Sequence, residues 1–336
     1  MFKHYTHIQD LELELTSTCN SMCPHCARVV YDENNQVLAT NPILPGNEQL
    51  NISVIENLAN SPLITEETVV RLSGAFSDPL MHPHLLELVE AIYNHMPYVH
   101  LRITTNGGSR TPAYVRKVAD VLAKWPNWKT CFDFSIDGLA DTNGLYRYNV
   151  KFERAYANML AAIESGCRVK WHCLEFPWNS HQLPEIERQA NELGVEFEIR
   201  EARPADFSKA EQYIAVKEHR VTSKKSETVK RNPEGSDIYY YGKKKFDYIE
   251  PLCLKNEYSM FIGFDNCVYV CCSQFSDKYS VYQSAFMNHL DFNTGWNDLT
   301  KHNINDILED DRWEQMYESI STRPYNYCVD MCGECK

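Results

Sequence analysis

Cys19, Cys23 and Cys26 stand at C-x3-C-x2-C spacing directly after the alternating run Leu11-Glu-Leu-Glu-Leu-Thr16. Three thiolates on one short loop can ligate three irons of a [4Fe–4S] cluster and leave the fourth iron open to a chelating small molecule. A Cys3His zinc site is the other reading, with His25 as the nitrogen ligand. His25 falls between two of the cysteines, where a short loop can hardly wrap it round the same metal. A second group comprises Cys253, Cys271 and the pair Cys332-Gly-Glu-Cys335. Four such thiols can fully ligate a second [4Fe–4S] cluster, or zinc. Cys267, Cys272 and Cys328 are alternative ligands for that site. Cys131, Cys167 and Cys173 lie in or beside strands and read first as small buried apolar residues.

The first cysteine loop needs a scaffold, and the residues that follow supply a repeating one. Strand patterns at Leu11–Thr16, Thr68–Gly74, His100–Asn106, Cys131–Asp137, Arg168–Glu175 and Glu196–Ala202 alternate with helical stripes. One stripe is Leu85, Leu88, Val89, Ile92 and Met96. Another, Val115, Val118, Ala119 and Leu122, is entered through Thr111-Pro112 as cap and first helical residue. Phe152, Tyr156, Met159, Leu160 and Ile163 form a third, ended by Gly166, and a shorter helix runs from near Pro184 to Gly194. Repeated βα units predict an α/β fold with a parallel sheet and crossover helices.

Within the strands, apolar and polar residues alternate. Leu11, Leu13, Leu15, Val70, Leu72, Leu101, Ile103, Phe132, Phe134, Ile136, Phe197 and Ile199 are expected to face the helices. The opposite parity sends Glu12, Glu14, Thr16, Arg71, Ser73, Arg102, Thr104, Asn106, Asp133, Ser135, Asp137, Glu198 and Arg200 inward. A parallel sheet covered on both faces is apolar on both. A barrel with a polar, wet lumen explains the pattern and puts the active site inside.

Composition narrows the classes. Apolar residues make up 43%, no apolar run reaches the ~18 residues of a transmembrane helix, and the first residues carry no secretory h-region. The 13 cysteines cluster at metal-ligand spacings, which fits a reducing, cytoplasmic setting. A net charge of -13 argues against general nucleic-acid binding. Locally, residues 217–245 hold nine Lys/Arg against four acids, a solvated connector or a surface for an acidic partner.

The cysteine loop after a first strand resembles the radical S-adenosylmethionine (SAM) superfamily. Ser73-Gly-Ala-Phe-Ser-Asp78-Pro79 looks like that family's GGEP segment, with Ser77 in place of a glycine, a type that resists positive φ. Ser135-Ile-Asp137-Gly138 resembles the S-x-D-G of relatives with C-terminal auxiliary clusters. The second cysteine group resembles the twitch domain, a shortened SPASM extension, with Asn266 where the family shows a turn glycine before Cys271. Asparagine is the best non-glycine substitute at a left-handed position.

The resemblance implies a partial (β/α)6 TIM-like barrel over residues 1–202, a connector at 203–250 and a twitch domain at 251–336. It implies SAM contacts from His25, Ser77, Asp78, Thr104, Asn106, Ser135, Asp137 and Arg147, with Ser135 and Arg147 near the SAM carboxylate and His25 near adenine. The implied cofactors are SAM and two [4Fe–4S] clusters, one site-differentiated and one auxiliary, served by an external donor such as flavodoxin or ferredoxin. The implied reaction is cleavage of SAM to a 5′-deoxyadenosyl radical, which takes a hydrogen atom from a substrate C–H bond. The expected substrate is a peptide or protein side chain; the alternative is a small polar metabolite such as a sugar, cyclitol or nucleotide. A non-catalytic Fe–S or zinc module is the rival from another class.

Overall fold

The structure, a computed structural model, describes residues 6–24, 26–31, 37–201, 240–241, 244–245, 249–251, 259–279, 294–315 and 333–335. Strand β1 (Asp10–Glu14) leads through the cysteine loop to a hairpin, β2 (Val29–Tyr31) and β3 (Val37–Thr40), and then helix α1 (Ser53–Ala59). The repeat follows: β4 (Val69–Ser73), α2 (Leu85–His95), β5 (His100–Thr105), α3 (Pro112–Leu122), β6 (Thr130–Ser135), α4 (Asn143–Tyr146), α5 (Phe152–Glu164), β7 (Val169–Glu175), α6 (Leu183–Leu193) and β8 (Glu196–Glu201). Three short strands, β9 (Tyr240–Tyr241), β10 (Lys244–Lys245) and β11 (Ile249–Pro251), precede β12 (Ser259–Ile262) and β13 (Val268–Tyr269). Helices α7 (Cys272–Lys278) and α8 (Ile304–Glu309) and strand β14 (Gly333–Cys335) follow.

All six strands expected from the sequence are present, each within two residues of the expected ends. They form an open eight-stranded sheet in the order β13-β12-β1-β4-β5-β6-β7-β8, parallel except for β13. Strand β12 lies in the stretch assigned by sequence to the C-terminal domain, yet it pairs with β1 and extends the barrel sheet, Leu11 opposite Met260.

The strand parity holds across the centre of the sheet. Leu11, Leu13, Val70, Leu72, Leu101, Ile103, Phe132 and Phe134 are fully buried, in one core with the stripes of α2 and α3. It fails at the edge: Ile199 on β8 is 43% exposed, because no further strand of the sheet lies beyond that end among the described residues. Thr111 caps α3 by accepting from the Tyr114 amide, and Gly194 ends α6 with φ +68. Helix α5 is turned relative to the expected stripe, so that Ala155, Asn158, Met159 and Ala162 form its buried side. Asn158 donates to the carbonyls of Gly107 (2.7 Å) and Ser109 (2.8 Å), spending a core position on the loop that follows β5. Gly107 has φ +69, and a Cβ there would meet Phe134 and Ala155 at 3.0–3.2 Å.

Asn266 takes φ +63, the left-handed turn expected of it, and joins β12 to β13. Its Oδ1 also accepts from the Asn51 amide at 2.7 Å, tying this turn to the start of α1. Among the described residues, no helix is long and apolar enough to cross a membrane.

Candidate functional site

The C-terminal ends of the parallel strands surround a cavity of about 510 Å³. Parallel α/β sheets bind ligands at this edge. The loop after β1 brings Cys19, Cys23 and Cys26 to one wall. The turn after β4 brings Ser77 and Asp78, β5 brings Thr104 and Asn106, β6 brings Ser135, and the end of α4 brings Tyr146 and Arg147. Side chains far apart in sequence thus meet the cysteines because each ends or follows a strand of one sheet.

Each sulfur receives a hydrogen-bond donor. Cys19 Sγ lies 3.4 Å from the Ser21 amide and 3.7 Å from Asn106 Nδ2. Cys23 Sγ lies 3.0 Å from the Ser21 hydroxyl and 3.8 Å from Arg147 Nη1. Cys26 Sγ accepts from the Arg28 amide at 3.4 Å. Burial pushes the Cys26 thiol up to about 11, and burial together with Asp78 raises Cys19 well above its ordinary value. Donors around buried sulfurs suit thiolates that a metal centre holds ionised. Among the described residues, no three His, Cys, Asp or Glu side chains are set to hold a single metal ion. A four-iron cluster takes one thiolate per iron, so its cysteines share a cavity rather than a common atom. The donor set fits such a cluster.

Asp78 is buried and saturated by the protein. Its carboxylate accepts from the Leu80 amide (3.0 Å), the Thr105 hydroxyl (2.8 and 2.9 Å) and the Asn106 amide (2.7 Å). Burial raises its pKa against those bonds. Ser77 takes no positive φ, so the missing glycine costs no backbone strain there. Gly74 carries the steric constraint instead: a Cβ would sit 2.1 Å from the Ser77 carbonyl oxygen. Asn106 Oδ1 accepts from the Gly108 amide (2.8 Å), and its Nδ2 also reaches Asn20 (3.0 Å).

Asp137 stands behind the wall rather than on it. It is fully buried and accepts from Arg147 Nε at 2.5 Å and from the Leu174 amide at 2.8 Å. His25 lies outside the described residues. Cys253, Cys328 and Cys332 also lie outside them, and Cys335 is described only as a residue of β14. Of the remaining cysteines, Cys267 is buried in the main core, whereas Cys271 and Cys272 are half-buried.

Among the wall residues not expected from the sequence as site residues are two basic side chains, His172 and Arg200. His172 on β7 faces the cavity, its Nε2 buried without a hydrogen-bond partner among the described residues, and burial lowers its pKa. The alternation Val169, Trp171, Cys173 on that strand carries the signal, since it sends His172 to the lumen. Arg200 on β8 lines the same cavity, paired with Glu198 at 2.5 Å.

No family model matches the sequence, and no curated protein matches it. Solved structures do match the fold. SuiB of Streptococcus suis bound to precursor peptide SuiA aligns with TM-score 0.54 and 14% identity, over 94% of this chain and 67% of that one. Histidine-tagged anSMEcpe with bound AdoMet aligns with TM-score 0.50 and 12% identity, over 96% of this chain and 82% of that one. These likenesses show the fold alone, an open partial TIM-like barrel.

Proposed function

We propose that this chain is a radical SAM enzyme in which Cys19, Cys23 and Cys26 hold a site-differentiated [4Fe–4S] cluster. The observation that carries the proposal is the cavity at the sheet's C-terminal edge, where those thiols meet Ser77, Asp78, Thr104, Asn106, Ser135 and Arg147. When bound, the cluster and SAM would supply a 5′-deoxyadenosyl radical able to take a hydrogen atom from an unactivated C–H bond. The protein's share is position and exclusion of solvent. Arg147, with Nη1 directed at Cys23, presents a cationic fork beside the cysteine wall and suits a carboxylate. Ser135 adds a hydroxyl to the same cavity. Asp78 sets Thr105 and Asn106, and through Asn106 the Cys19 side of the loop.

An auxiliary [4Fe–4S] cluster on Cys253, Cys271, Cys332 and Cys335 completes the reading. In support, β11 pairs with β14, Pro251 opposite Gly333, which joins the described residues nearest in sequence to Cys253 and Cys332. The half-buried state of Cys271 favours it over the core residue Cys267 as a ligand. The substrate is a peptide or protein side chain, supported by the fold shared with SuiB, solved with a precursor peptide. A flavodoxin- or ferredoxin-like donor would supply the electron.

Spectroscopy tests the proposal. Anaerobically reconstituted, reduced protein should show a cluster EPR signal that shifts on addition of SAM. An unperturbed signal refutes SAM ligation. Mass spectrometry of candidate peptides incubated with the enzyme then tests the substrate class: a change confined to small metabolites moves the substrate to sugars, cyclitols or nucleotides.

A further inference from the structure

Glu14, the last residue of β1, is fully buried and is not on the cavity wall. Its two oxygens accept from consecutive backbone amides of the turn after β4: one from Ala75, the other from Phe76 at 3.0 Å. Ala75 and Phe76 do line the cavity. A buried carboxylate is costly unless something compensates it. Here the amides of that turn offset part of the cost.

Arg28 grips the same turn from the other side. It is buried, and its Nη1 donates to the Ser17 carbonyl (2.5 Å) and the Phe76 carbonyl (3.2 Å). Its own amide donates to Cys26 Sγ at 3.4 Å. The amide and the carbonyl of Phe76 are therefore both held, by two side chains, Glu14 and Arg28, that bracket the cysteine loop in sequence. Cys26 Sγ lies 4.0 Å from the Ala75 carbonyl oxygen across the resulting junction.

We propose that Glu14 and Arg28 form a buried clamp that fixes residues 74–78 against the cysteine loop and so positions the cavity wall that receives SAM. The SAM part rests on the function proposed above; the clamp itself does not. Both residues are positioning residues, since neither lines the cavity. Two backbone amides held by one buried side chain are enough to set a loop, and a glutamine has a single oxygen to accept from them.

Glu14→Gln is the test, with Asp10→Asn at the far end of β1 as control. Amide exchange by mass spectrometry over residues 74–78 reads the clamp, and SAM affinity of the iron-loaded protein reads its use. In Glu14→Gln, with iron content and melting temperature near wild type, exchange should quicken about tenfold and SAM bind about tenfold more weakly. The control should change neither. Unchanged exchange overturns the clamp. Faster exchange with SAM affinity within about twofold of wild type overturns its role in positioning. Should the variant not fold, exchange in the wild-type protein decides: protected amides at Ala75 and Phe76 support the clamp, and exchange at the unprotected rate overturns it. Wild-type protein that binds no SAM would refute the proposed function and leave the exchange result to judge the clamp alone.

Discussion

Arg147 donates through Nε to Asp137 at 2.5 Å while its Nη1 lies 3.8 Å from Cys23 Sγ. A single guanidinium therefore links the carboxylate behind β6 to the cysteine loop that follows β1. Asp137 is fully buried, and its other oxygen holds the Leu174 amide of β7. The ends of three strands are coupled through this pair.

Arg147→Ala leaves that buried carboxylate without its cation. Breaking such a pair from one side costs about 3–5 kcal/mol. The expected outcome is a lower melting temperature and a loss of SAM affinity. Arg147→Lys keeps the charge but not the fork, so it should recover stability better than SAM binding. Equal recovery of both would show that charge alone matters.

Iron content separates the cysteines. Wild-type protein should hold about eight irons, and Cys19→Ala, Cys23→Ala or Cys26→Ala about four. Cys271→Ala should also fall to about four, while Cys267→Ala keeps about eight and loses packing and its thiol's bond to the Asp265 carbonyl. Loss of iron from Cys267→Ala would make that buried residue a ligand and exclude the present assignment.

Asn266 combines a left-handed backbone with a bond to the Asn51 amide. Asn266→Gly removes the bond, worth about 1 kcal/mol, and recovers the smaller left-handed strain of the asparagine Cβ. Asn266→Val adds the left-handed penalty of about 1–2 kcal/mol for a residue with a Cβ, and more for a branched one. Chemical denaturation should rank wild type above Gly and Gly above Val; a valine variant as stable as the glycine variant would contradict the turn.

His82 is buried, its Nε2 3.3 Å from the Leu50 carbonyl and its Nδ1 accepting from the His84 amide. Burial lowers its pKa to about 4. The unfolded chain takes up a proton near pH ~6.5, so this group's stabilisation is present above that pH and is lost as pH falls toward 4, by at most about 1.4 kcal/mol per unit. Glu14 works in the opposite direction: burial raises it from 4.5 to about 7, so its contribution is lost as pH rises between those values. His82→Gln should therefore lose less stability than wild type between about pH 6.5 and 4.5 in urea titrations. Parallel curves would remove His82 from the account.

Much of this was readable in the residues. Alternation put Leu11, Val70, Leu101 and Phe132 against helices, and the cysteine spacing singled out the wall they support. A strand between two neighbours leaves little choice of face. Ile199 broke the pattern because an edge strand lacks the second neighbour that burial assumes. Asp78 was expected to face a ligand, and it lines the cavity, but its oxygens are occupied by Leu80, Thr105 and Asn106. Only hydrogen-bond geometry reveals that. Glu14 and Asn158 were hidden for the same reason: a polar residue bound to distant backbone has no sequence period that marks its partner.

Formation of 5′-deoxyadenosine tests the central claim most directly. Iron-loaded protein mixed anaerobically with SAM and dithionite should release it, and the Cys19, Cys23 and Cys26 alanine variants should not. Fully loaded wild-type protein that leaves SAM intact under these conditions would contradict the account.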